Sequence, residues 1–171
     1  MNDESFVHPA QAQQGVRVLH PGDVLCAERG QRLETLLGSC VAVLLTDPRR
    51  SVGAMCHIVH AGYAAIGAAP SGAYAHIALE TLYELLRVRG INPLLCEAYV
   101  FGGGNMFPQL FQNTHVGDDN ARWALQALNE DGVPVLQQDL GGERYRRIGW
   151  TIGHEPEVCA VDMPTVPGGP S

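Results

Sequence analysis

Apolar residues recur along this chain with two periods. Between Ala73 and Arg89, the residues Ala75, Ala78, Leu79, Leu82, Leu85 and Leu86 repeat at helical spacing, with Glu80, Glu84, Arg87 and Arg89 among the polar positions. This predicts an amphipathic helix that stops at Gly90. A second helix is predicted over 119–131, where Ala121, Ala124, Leu125 and Leu128 form the stripe, Asp118 supplies a cap and Gly132 ends it. Strand patterns cover 16–19, 41–46, 52–59, 94–101, 133–138, 145–152 and 158–161. Asp47-Pro48-Arg49-Arg50 is a turn signal between two of these, so they pair as a hairpin. Two helices among about seven strands predict a single α+β domain, a layered sandwich of mixed or antiparallel β-sheets with the helices packed outside, and not a regular βαβ repeat.

Composition narrows this picture. Residues 1–14 are polar and Gln-rich, and residues 163–171 are rich in Pro and Gly; both are expected to be mobile, leaving 15–162 as the folded domain. A chain of 171 residues, 46% of them hydrophobic, can bury one core. Eleven Lys and Arg against 18 Asp and Glu give a net charge of -7, which lacks the positive footprint that phosphate backbones require, so no nucleic-acid partner is expected. The longest apolar run, Cys40 to Leu45, is far short of the roughly 20 residues that cross a bilayer, so no membrane insertion is expected. Met1-Asn2-Asp3-Glu4 is acidic where a secretory signal is basic, and a cytoplasmic location is expected.

Five cysteines, odd in number and without a CxxC pair, suggest free thiols in place of a disulfide framework or a zinc knuckle. In Thr35-Leu36-Leu37-Gly38-Ser39-Cys40, a Gly-Ser turn sets Cys40 at the start of an apolar strand. Such a turn can offer a thiolate to a carbonyl carbon and backbone N–H groups to the oxyanion that forms. The same spacing also fits a turn that merely reverses the chain, with Cys40 packed as a small hydrophobe. His57 lies on the other arm of the hairpin, where it can face Cys40 or its neighbours and raise the thiolate fraction; its alternative is a satisfied core histidine. Cys56, His57 and His60 have metal-ligand chemistry, but His57 and His60 point to opposite faces of a strand, so no metal site is predicted. Gly102-Gly103-Gly104 is followed by neither GxGxxG nor GK[ST], and predicts a tight turn that lets two backbones approach. Tyr145-Arg146-Arg147 reads as a solvated strand edge, with a docking patch as the alternative.

Several strings in order carry a family resemblance: Leu37-Gly38-Ser39-Cys40-Val41-Ala42-Val43, Asp47-Pro48, Gly53-Ala54-Met55-Cys56-His57, Gly102-Gly103-Gly104-Asn105-Met106-Phe107, Val116-Gly117 with Asn120, and Asp139-Leu140-Gly141-Gly142. Together they resemble the CheD family of bacterial chemoreceptor glutamine deamidases, over about 16–161. The resemblance implies a cysteine hydrolase that converts particular glutamine side chains on methyl-accepting chemotaxis receptors to glutamate and ammonia through a thioester, some members also cleaving glutamyl methyl esters. It implies no cofactor, and a second partner, CheC.

By position the resemblance makes Cys40 the nucleophile and His57 its histidine. The family's threonine stands six residues before the cysteine, where this chain has Glu34; Thr35 is five before. Neighbours on a strand face opposite sides, so one of the two orients His57: Thr35, which keeps the Thr-Leu-Leu-Gly-Ser-Cys string, or Glu34 as a carboxylate that would favour a Cys–His ion pair. Thr35 is the expected partner. Asp119 stands where the family pattern has arginine. Two other functions fit the same residues, a non-catalytic chemotaxis adaptor that binds receptor or CheC, and a cysteine hydrolase of an unrelated amide or ester.

Overall fold

The structure, a computed structural model, describes residues 15–64, 66–110 and 115–162. The expectations for 1–14 and 163–171 lie outside the described residues. Nine strands are described: β1 (Val16–Leu19), β2 (Val24–Glu28), β3 (Arg32–Leu37), β4 (Val41–Thr46), β5 (Val52–Ile58), β6 (Glu97–Gly102), β7 (Val135–Leu140), β8 (Tyr145–Thr151) and β9 (Glu157–Val161). The described α-helices are α1 (Ala75–Arg87) and α2 (Val116–Glu130).

The strands form two sheets, one in the order β1-β3-β8-β9 and one in the order β2-β5-β4-β6-β7. Both are mixed: β1 with β3 and β6 with β7 run parallel, and the remaining neighbours run antiparallel. Alternation along β4 explains the layering. Every β4 residue is buried. Val41, Val43 and Leu45 pack with Ala75, Leu79, Leu82 and Leu86 of α1 and Leu128 of α2, while Ala42 and Leu44 meet Leu33, Leu37, Ile148 and Trp150 of the other sheet. The result is three layers, helices on a central five-stranded sheet and a four-stranded sheet on its far side, which is the α+β sandwich expected.

The hairpin forms as its turn predicts, with Asp47 accepting from the N–H groups of Ser51 and Val52 at 2.8 and 3.0 Å. β2 and β3 are additions to the predicted strands. β6 begins later than predicted because Pro93–Leu95 forms a 3-10 turn capped by the Asn92 side chain. α2 begins earlier, at Val116, and Asp118 is not its cap; it lies in the first turn, 3.2 Å from His115 Nε2. The Gly102–Gly104 turn does bring two backbones together: a Cβ on Gly117 would lie 2.5 Å from the Gly103 carbonyl oxygen. Arg146 corrects the expectation of a solvated edge. β8 sits between β3 and β9, and Arg146 is buried, donating to the Gly102 carbonyl at 3.3 Å, the Gly141 carbonyl at 2.6 Å and Asp139 Oδ1 at 3.2 Å. A long guanidinium reaches acceptors that a two-residue pattern does not show.

Candidate active site

On β3 the side chains of Leu33, Thr35 and Leu37 turn into the space between the sheets, where all three are buried. Glu34 turns the other way and pairs with Arg32 at 3.2 Å. On β5, His57 pairs with Ala42 of β4 and is 2% exposed. Thr35 and His57 therefore approach from opposite sheets, and Thr35 Oγ1 lies 2.8 Å from His57 Nδ1.

The proton positions on this pair follow from counting. Thr35 Oγ1 also lies 2.9 Å from the carbonyl of Leu19, which only accepts. A hydroxyl has one proton, so both contacts are satisfied only when Thr35 donates to Leu19 and accepts from His57 Nδ1–H. The second ring nitrogen, Nε2, is then the unprotonated one. The backbone of His57 is also held on both sides, its N–H donating to the Asp23 carbonyl at 3.0 Å and its carbonyl accepting from Gly22 N–H at 2.9 Å.

Burial sets the charge state. It pushes the His57 pKa down from 6.5 to about 4, more than the nearby Asp23 raises it. Burial also pushes the Cys40 thiol up. Thr35 carries no charge that would hold an imidazolium, and burial disfavours the charged form of each group, thiolate and imidazolium alike.

Cys40 ends the turn between β3 and β4. Gly104 N–H donates to the Gly38 carbonyl and Gly103 N–H to the Cys40 carbonyl, both at 2.9 Å. The Gly-rich turn after β6 thus braces the cysteine turn, and it needs glycine: at Gly102, φ is +113° and a Cβ would lie 2.2 Å from the Cys40 oxygen. Cys40 and His57 line one cleft of about 530 Å³, together with His60, Phe107, His115 and Tyr145. None of the described residues lining it is Asp, Glu, Lys or Arg. No group of three or more His, Cys, Asp or Glu among the described residues could hold a metal ion.

Asn120 belongs to one of the strings that carry the resemblance but has no site role assigned from sequence. It is fully buried on α2, and its Nδ2 donates to the carbonyls of Ser39 at 3.1 Å and Val59 at 2.9 Å. The available signal was its place on the buried stripe with Gly117, Ala124 and Leu128, where an amide needs internal partners. The clamp of Gly22 and Asp23 on His57 has no local signal at all, because it acts through backbone atoms.

A family model described as CheD chemotactic sensory transduction matches residues 63–154, more than half of the chain. The chain belongs to the CheD family. That match takes in the Gly102–Gly104 turn, Asn120 and Tyr145, while Thr35, Cys40 and His57 precede it. Two similar CheD relatives are each named probable chemoreceptor glutamine deamidase CheD. One, from Bordetella petrii, is 39% identical over 151 residues, spanning 86% of this chain and 64% of the relative. The other, from Pseudomonas syringae pv. syringae, is 37% identical over 134 residues, spanning 77% of this chain and 76% of the relative. Among solved structures, the Bacillus licheniformis hypothetical protein YfiH is similar at a TM-score of 0.43 and 19% identity, over 70% of this chain and 49% of that one. Asp119, where the resemblance leads to an expectation of arginine, pairs with Arg122 at 3.6 Å on an exposed face of α2.

Proposed function

We propose that this CheD protein hydrolyses glutamine side-chain amides on chemotaxis receptors, with Cys40 as nucleophile, His57 as general base and acid, and Thr35 positioning His57. The observation that carries the proposal is the Thr35–His57 hydrogen bond, which leaves Nε2 as the basic nitrogen of an imidazole that lines one cleft with Cys40. The uncharged lining of that cleft suits a neutral amide better than a carboxylate.

The reaction begins when Nε2 takes the Cys40 proton and the sulfur attacks the amide carbon, forming the C–S bond and an oxyanion. Backbone N–H groups of the Ser39–Cys40 turn hold that oxyanion. As the intermediate collapses, the C–N bond breaks and His57 gives its proton to the departing nitrogen, releasing ammonia and leaving a thioester. His57 next takes a proton from water as it attacks the thioester; the C–S bond breaks, glutamate leaves and the proton returns to Cys40. A glutamyl methyl ester enters the same cycle with methanol as leaving group, so esterase activity belongs to the proposal. The site of action is the cytoplasm, with CheC as the second partner.

Mass spectrometry of a cytoplasmic receptor fragment, incubated with wild type or with Cys40→Ala, tests this. Conversion of specific glutamines to glutamate by wild type alone is the expected result. Receptor binding without conversion by either protein would replace the deamidase with an adaptor.

A further inference from the structure

One amide nitrogen spans the two segments that carry Cys40 and His57. Asn120 Nδ2 bonds the carbonyl of Ser39, the residue before Cys40, and that of Val59, two residues after His57. Two acceptors around one nitrogen fix the amide's orientation, since the reverse would set its oxygen against both carbonyls. Asn120 Oδ1 is then left buried with no hydrogen-bond partner among the described residues. An unmade buried acceptor costs stability, so packing alone does not account for an asparagine here.

Peptide geometry supplies the account. A trans peptide is planar, with its C=O and N–H antiparallel. The bond from Asn120 to the Ser39 carbonyl therefore also sets the direction of the Cys40 N–H, which belongs to the same peptide plane and points away from Asn120. Among the described residues, no backbone hydrogen bond of the turn uses this N–H, whereas the carbonyls on either side, of Gly38 and Cys40, are both occupied.

We propose that Asn120 is a positioning residue that aims the Cys40 N–H at the oxygen of the reacting carbonyl, so that α2 builds the oxyanion site from behind. The inference rests on the deamidase reading for the reaction it serves. The bond to Val59 adds the strand of His57 to the same brace, giving nucleophile, oxyanion donor and base one common spacing.

Two reagents separate this role from a structural one. p-Nitrophenyl acetate acylates Cys40 through a tetrahedral oxyanion and releases p-nitrophenolate. Iodoacetamide alkylates the same sulfur at a saturated carbon, releases iodide and forms no oxyanion. In Asn120→Leu and Asn120→Asp, acylation is expected to fall about 10–100-fold, somewhat less than the loss of a whole oxyanion donor, while alkylation stays within about twofold. Should those variants not fold, Asn120→Ser, too short and with too few protons to bond both carbonyls, must show the same selective loss. Equal losses with both reagents, or no loss with either, would overturn the inference. Neither reagent involves a receptor, so a wild type inert towards receptor glutamine would sink the deamidase reading and leave this result separately decided.

Discussion

Ala42 lies directly opposite His57 across the β4–β5 hairpin, two residues beyond Cys40. Strand side chains alternate, so this register turns His57 towards the four-stranded sheet, on the side where Cys40 packs. A slip of one residue would turn His57 to the helices and separate it from Thr35. With that geometry, His57→Ala is expected to lower kcat for deamidation by about 10²–10⁴-fold, the usual worth of a positioned acid–base group. Ammonia release under saturating receptor fragment measures it, and a loss smaller than tenfold would remove His57 from the proton transfers.

Thr35 and Glu34 make opposite forecasts. Thr35→Ala removes the acceptor of Nδ1–H, frees the other ring tautomer and is expected to cost roughly tenfold in kcat, about the worth of one buried hydrogen bond. Thr35→Ser should recover most of it. Glu34→Gln weakens an outer ion pair with Arg32 and is expected to leave turnover within about twofold. Kinetics of the three variants side by side check this, and the assignment is lost if Glu34→Gln alone is inactive.

The charge state of the resting pair has two readouts. Burial holds His57 near 4 in the folded chain against 6.5 as the ordinary value, so the acid limb of kcat/KM is expected nearer pH 4 than pH 6.5. Alkylation of Cys40 by iodoacetamide should climb steadily above neutral pH with no plateau in the acid range, because no thiolate–imidazolium pair stands ready. A plateau below pH 6 would mean the ion pair exists after all.

The same shift ties stability to pH. Between 6.5 and about 4 the unfolded chain binds the His57 proton and the folded chain does not, so the contribution is intact above 6.5 and is lost as pH falls to 4, by up to roughly 3 kcal/mol. Urea midpoints at pH 7 and pH 4.5 should differ more for wild type than for His57→Gln.

At Gly117 an added Cβ would meet backbone atoms of Gly103 and Gly104 at 2.5 to 2.6 Å. Backbone has nowhere to yield, so Gly117→Ala is expected to destabilise by about 1–3 kcal/mol or more and to push the start of α2 off the cleft. Gly62→Ala, in open space, is the control and should leave the thermal midpoint unchanged.

The parts of this fold that the sequence declares are those fixed by local pattern. The β4–β5 hairpin is legible because an uninterrupted apolar run meets Asp47-Pro48, and its register follows from the turn. β3 escaped notice because its alternation is scrambled by chemistry: polar Thr35 faces in, and Leu36 faces out, 51% exposed. The start of α2 depends on Gly103, thirteen residues upstream, and the burial of Arg146 on carbonyls at Gly102 and Gly141. The histidine and cysteine could be named from the hairpin and the resemblance, and the intact Thr-Leu-Leu-Gly-Ser-Cys string favours Thr35 over Glu34; the contact of Thr35 with the His57 ring was not legible, because it depends on the docking of the second sheet.

The three-layer arrangement bears on how the chain becomes active. Thr35 comes from one sheet, Cys40 precedes β4 and His57 lies on β5 of the other, and Asn120 comes from the helical layer. A collapsed intermediate with its helices and hairpins formed but its layers undocked would have none of these atoms in place. Pairing β1 with β3, and β3 with β8 more than 100 residues later in the chain, adds slow, long-range closure to that docking. Recovery of catalytic turnover after dilution from denaturant is therefore expected to lag behind recovery of the far-ultraviolet circular dichroism, making turnover a reporter of the last step of folding.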